Sequence, residues 1–93
     1  MSITFRIPNY LAAFAGDRSA VKLDGSPATV RDALEALWRQ HPGLRDRIVD
    51  EQGEVRQHVN IFVGDDAIRF ADGLATPVPA GAEILIVPAV SGG

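Results

Sequence analysis

One window of the chain, Thr29 to His41, spaces its apolar residues three and four positions apart, whereas the runs around Ile3–Ile7, Val21–Leu23 and Val59–Val63 alternate in twos. Val30, Ala33, Leu34, Leu37 and Trp38 fall on one side of a 3.6-residue helix, and Arg31, Asp32, Glu35 and Arg39 on the other. A lone amphipathic helix has one stripe to bury, and only strands remain to bury it. The chain is thereby limited to one sheet covered on one face by one helix. Its 93 residues leave room for one such core. The helix carries its own start and stop. The Thr29 hydroxyl can accept a first-turn N–H, with Asp32 three residues on as a short-armed capping box, and Pro42-Gly43 halts the helix near His41.

The strands follow from period two. Ile3, Phe5 and Ile7 alternate with Ser2, Thr4 and Arg6, and Pro8-Asn9 ends the run. Tyr10 to Asp17 is expected to be a loop turning at Gly16-Asp17. Val21 and Leu23 then form a second strand, closed by Gly25-Ser26-Pro27, so the first two strands make a long-looped hairpin. Leu44 to Val49 reads as one more short helical segment, and Asp50 to Gly53 as a polar turn. Val59, Ile61 and Val63 mark a third strand starting near Val55. Gly64-Asp65-Asp66 turns it into a short strand, Ala67 to Phe70. Pro77 and Pro79 keep the next segment from regular pairing. A last strand runs from Glu83 to Val87, stopped by Pro88.

This order places the first and last strands side by side and parallel at the centre of a mixed sheet of four to five strands. The fold class is α+β, and the arrangement is similar to the β-grasp fold of ubiquitin. The expected core is Ile3, Phe5, Ile7, Val21, Leu23, Val30, Leu34, Leu37, Trp38, Ile61, Ile84 and Ile86, in a monomer. Residues 1–88 form the domain and residues 89–93 a flexible C-terminal tail.

Composition narrows the chemistry. Nine basic and twelve acidic residues give a net charge of −3, which offers no electrostatic reason to bind nucleic acid or anionic lipid. There is no cysteine, so disulfides, a thiolate nucleophile and cysteine-ligated metals are excluded. That fits a reducing cytosol, and a cytoplasmic location is expected. No apolar run approaches the ~20 residues of a membrane helix. Leu11 to Ala15 ends in an A-x-A-like triplet, but Arg6, Pro8 and Asn9 interrupt any signal-peptide core. His41 and His58 stand far apart, with no spacing that suggests a metal site. Asp50-Glu51 and Asp65-Asp66 read as solvated turn residues. No cofactor and no metal are expected to be bound.

The remaining chemistry sits at the end of the chain, Gly92-Gly93. An extended Pro88–Gly93 segment reaches about 20 Å. Glycine lacks a Cβ, so Gly92 supplies clearance for threading a narrow channel. The carboxylate of Gly93 is the expected reactive group. Ionised, it resists nucleophiles. Adenylation with ATP would convert it to a mixed anhydride, from which a sulfur nucleophile displaces AMP to leave a thiocarboxylate.

These residues resemble the ubiquitin-like sulfur carriers of the MoaD/ThiS type, over nearly the whole chain from Ile3 to Gly93. Val59-Asn60-Ile61-Phe62-Val63, Arg69-Phe70, Gly73-Leu74-Ala75-Thr76 and Pro88-Ala89-Val90-Ser91-Gly92-Gly93 look most like the cysteine-biosynthesis subtype. Ile7-Pro8 and Arg47-Ile48 agree more loosely. The resemblance implies a co-substrate rather than an enzyme, activated by an ATP-using adenylyltransferase of the ubiquitin-activating type. For this subtype it also implies a cysteine synthase and a metallopeptidase that releases cysteine. Val90-Ser91-Gly92-Gly93 also resembles the small subunit of molybdopterin synthase, which would make the large subunit the partner. A lysine-linked protein modifier and an inert interaction module stay open as well.

A partner surface is also expected. If Val59, Ile61 and Val63 face the helix, Phe62 points away from it; with Ile84 and Ile86 inside, Leu85 and Val87 stand outside. The ubiquitin-like order makes these two strands neighbours. Phe62, Leu85 and Val87 then form one apolar patch near the root of the tail, where the adenylating enzyme would dock.

Overall fold

The computed structural model describes residues 2–88. Five strands form one mixed sheet: β1 (Ser2–Arg6), β2 (Ala20–Asp24), β3 (Val59–Val63), β4 (Asp66–Ala67) and β5 (Glu83–Pro88), in the order β2-β1-β5-β3-β4. β1 pairs antiparallel with β2 and parallel with β5, and β5 pairs antiparallel with β3. The parallel pair at the centre is the expected one. The tail, residues 89–93, and with it Gly92 and Gly93, lies outside the described residues.

The main helix, α2 (Val30–Gln40), begins where its cap lies: the Thr29 Oγ1 accepts the Asp32 backbone N–H at 3.3 Å. It ends as the His41 N–H donates to the Leu37 carbonyl at 2.8 Å, just before Pro42. Val30, Ala33, Leu34 and Leu37 are buried and share one core with Ile3, Phe5, Ile7, Val21, Leu23, Val59, Ile61, Ile84 and Ile86. The sheet's inner face is thus covered by α2, a β-grasp architecture.

Several local expectations are corrected. The segment after β1 is not a plain loop: α1 (Asn9–Ala12) and a 3-10 turn (Ala13–Ala15) put Leu11 and Ala15 into the core. Burial of those two apolar residues overrides the turn signals around them. Gly16 and Asp17 both adopt φ near 60° (65° and 61°), which makes the turn expected there. Trp38 only packs against the core from its edge, because it sits at the border of the helical stripe. Val55 forms a single bridge with Val49 rather than starting β3. The fourth strand is two residues long and passes into a 3-10 turn, Ile68–Phe70, which buries Ile68. Val63 is half-buried near the sheet's end.

The proline-rich segment is anchored, not loose. A 3-10 turn, Gly73–Ala75, buries Leu74, and Val78 is buried beyond it. The Thr76 hydroxyl, itself buried, donates to the Gly73 carbonyl at 2.6 Å and accepts the Asp72 N–H at 3.1 Å. The Val30 N–H, an orphan donor of the first helical turn, donates to the Thr76 carbonyl at 3.0 Å. This segment therefore caps α2 from outside the helix. The short helix α3 (Arg45–Ile48) buries Ile48 and closes the other end. Among the described residues, no helix is long and apolar enough to cross a membrane.

Candidate functional site: the open sheet face and the end of β5

Alternation along β3 and β5 sends Val59, Ile61, Ile84 and Ile86 inward and leaves Phe62, Leu85 and Val87 on the opposite face. Phe62 is the register partner of Leu85, and Asn60 that of Val87, so the three apolar side chains share one stretch of the sheet. Each is half-buried rather than fully exposed. The register continues outward through Arg6, partner of Leu85, and Ala67, partner of Phe62.

Polar groups rim this stretch. Arg6 Nε lies 2.8 Å from a Glu83 carboxylate oxygen, joining neighbouring central strands. Arg69 donates to the Asn60 side-chain carbonyl, beside Val87. An apolar centre with a polar rim is the anatomy of a protein-binding surface. β5 runs through this stretch to its end at Pro88, opposite Val59. Pro88 therefore lies at the margin of the apolar patch.

Sequence reasoning missed the most exposed large apolar side chain among the described residues. Phe70 is 86% exposed and lies in a 3-10 turn, whereas the sequence pattern places it in a strand. It borders an open depression of about 700 Å³ whose lining also includes Phe62, Ala67, Pro77 and Pro79. The apolar surface thus extends from Phe62 away from Pro88, toward the β4 edge. Nothing local indicated that Phe70 would face outward. Among the described residues there is no group of three or more His, Asp or Glu side chains that could hold a metal ion.

A five-stranded mixed sheet covered on one face by a single helix, with an apolar open face, is the β-grasp architecture of small ubiquitin-like proteins. The chain belongs to the ThiS family, whose model matches residues 5–93. It is 34% identical over 95 residues to the sulfur carrier protein CysO of Mycobacterium tuberculosis, covering 100% of both chains. It is 40% identical over 84 residues to small archaeal modifier protein 1 of Haloferax volcanii, covering 89% of this chain and 91% of that one. A crystal structure of the BexX/CysO complex of Amycolatopsis orientalis contains a chain that superposes with a TM-score of 0.86 at 33% identity, covering 98% and 99% of the two chains.

Proposed function

We propose that this protein is a sulfur carrier whose reactive group is the terminal carboxylate of Gly93. The observation that carries the reading is the extent of its relationship: the family match runs through Gly92-Gly93, and the chain spans the whole of a sulfur carrier protein. The fold supports it, because the central strand β5 delivers the chain to the edge of an apolar face at Pro88.

The chemistry needs a second protein. A carboxylate is a poor acyl donor because hydroxide or oxide would have to leave. An adenylyltransferase of the ubiquitin-activating type would join the Gly93 carboxylate to the α-phosphate of ATP and release pyrophosphate. Hydrosulfide then attacks the acyl carbon, AMP leaves, and the terminus becomes a thiocarboxylate. The carrier contributes two things: a tail thin enough to enter a nucleotide site, through Gly92, and a docking face, through Phe62, Leu85 and Val87. The sulfur acceptor is assigned to cysteine biosynthesis, in which a cysteine synthase takes the sulfur and a metallopeptidase releases the product. The similarity to CysO supports that assignment. ATP is bound by the partner and not by this chain.

The second reading is a protein modifier joined through Gly93 to lysine amines, and the 40% identity to a small archaeal modifier protein favours it. Intact-mass analysis after incubation with the organism's adenylating enzyme, ATP and sulfide separates the two. Replacement of one terminal oxygen by sulfur is expected, and its loss on deletion of Gly93. A terminus that stays a carboxylate under these conditions overturns the carrier reading, and a lysine-linked ladder in cell extract establishes the modifier.

A further inference from the structure

The end of the sheet at which β5 finishes carries a second surface, distinct from the apolar face. β1 and β5 are parallel, so the segment after β1 arrives at the same end of the sheet as Pro88. Pro88 is the register partner of Val59, and His58 directly precedes Val59. A depression of about 300 Å³ opens there, lined by Tyr10, Phe14, Arg47, Arg56 and His58. The chain as a whole carries a net charge of −3, so this cluster runs against its overall sign. One carboxylate lines the same depression, Asp46, and it lies 3.3 Å from Arg45.

The two arginines are held in place by different means. The Arg47 guanidinium lies over the Phe14 ring, 3.6 Å from its centroid. Stacking occupies the face of the guanidinium and leaves its in-plane N–H donors free to bond. Arg56 donates from Nε to the Asp46 backbone carbonyl at 2.8 Å, and its own backbone N–H donates to the Ile48 carbonyl at 3.0 Å. Its two terminal nitrogens remain for another acceptor. Among the described residues, neither guanidinium has a carboxylate within ion-pair distance. A guanidinium already pinned loses less freedom on pairing, and its donor fork matches a carboxylate.

We infer that this depression receives acidic side chains, Asp or Glu, of the enzyme that activates the tail, and that their attraction steers the carrier onto that enzyme. The inference rests on the carrier reading above. Any protein that grips a chain leaving β5 at Pro88 must cover this end of the sheet. The apolar face holds the complex together, while the guanidinium pair brings the partners into register and speeds encounter.

The test is stopped-flow association of the full-length protein with the adenylating enzyme of its own organism, run from about 50 to about 500 mM NaCl, beside an assay of Gly93 adenylation. Arg47→Glu is expected to slow association about tenfold at the low-salt end, with the gap closing as salt rises. The turnover number at saturating carrier should be unchanged. Arg47→Gln, which lies on the surface and adds no new charge, should give a smaller effect in the same direction. Arg56→Gln is read only where its unfolding midpoint matches the parent. Reversal of an acidic residue to Lys on the enzyme should restore the rate of Arg47→Glu. Equal association rates and salt slopes for parent and Arg47→Glu, with the parent normally adenylated, overturn the inference and leave the carrier reading standing. A parent protein that is never adenylated overturns both. Arginine N–H shifts induced by inorganic phosphate, with enzyme association unaffected by Arg47→Glu, would assign the depression to a free anion and also overturn it.

Discussion

Replacing Leu34 by Ala removes a side chain that is 3% exposed and sits in the middle of the helical stripe. The lost transfer energy and the cavity left behind should cost about 2–5 kcal/mol, measured by urea unfolding. A cost near zero would mean that the stripe does not face the sheet. Phe70 is the opposite case. At 86% exposed it contributes little to folding, so Phe70→Ser should change stability by less than about 0.5 kcal/mol. The same substitution should raise the KM of the adenylating enzyme for the carrier about tenfold, as removal of an aromatic anchor from an interface does. An unchanged KM would confine the docking surface to Phe62, Leu85 and Val87. Phe62→Asp tests that narrower patch: adenylation should weaken strongly while the protein stays folded. Phe62 is half-buried, however, and stands directly opposite Leu85 in the register, so a modest loss of stability accompanies the change.

At the scale of elements, α2 depends on two contacts at its start. The Thr29 hydroxyl caps from within the helix sequence, and the Thr76 carbonyl accepts the Val30 N–H from the proline-rich segment. Thr29→Ala should cost about 1 kcal/mol, the usual loss for an N-cap hydroxyl, read as a shift in the urea midpoint at constant slope. The pairing of β1 with β5 is treated differently by its surface ion pair. Arg6 and Glu83 side chains are 55% and 45% exposed, so water screens them heavily. Arg6→Gln should therefore cost less than about 1 kcal/mol, and the difference should vanish in about 1 M NaCl. A larger, salt-resistant loss would show that Arg6 supports Leu85 through packing rather than charge.

On the scale of the whole molecule, a single core links both hairpin strands, α2, β3 and β5 with the short helical segments. Such a core should unfold in one step. Far-ultraviolet circular dichroism reports the backbone, and the fluorescence of Trp38, the one tryptophan, reports the helix–sheet border. The two urea curves should coincide. An earlier fluorescence transition would mean that the border of the helix opens before the sheet. The same compactness explains how a 93-residue chain offers two surfaces at once. One sheet face is consumed by the helix, which leaves the other face, with Phe62, Leu85 and Val87, open beside the end of β5 at Pro88.

The sequence by itself determined the elements with strong periodicity: β1, β2, β3, β5 and α2, together with which side of each is apolar. Period two or 3.6 is a local property, and Thr29 and Pro42 mark the helix ends by local hydrogen bonding and sterics. From those elements the parallel centre followed, because one helix can cover only one sheet. The Gly92-Gly93 end is read from residue identity alone and lies outside the described residues. What only the tertiary structure decided were the segments whose conformation is set by distant partners. Leu11, Ala15, Leu74 and Val78 lie in stretches without periodicity, and each is buried because the sheet and α2 leave a gap that it fills. Phe70 is exposed because Ile68, two residues earlier, takes the inward position and the chain turns in a 3-10 geometry. The guanidinium pair of Arg47 and Arg56 joins two segments whose proximity no local pattern encodes. Pairing of β3 with β5 brings His58 beside Pro88 at the end of β5, and burial of Ile48 sets Arg47 over Phe14.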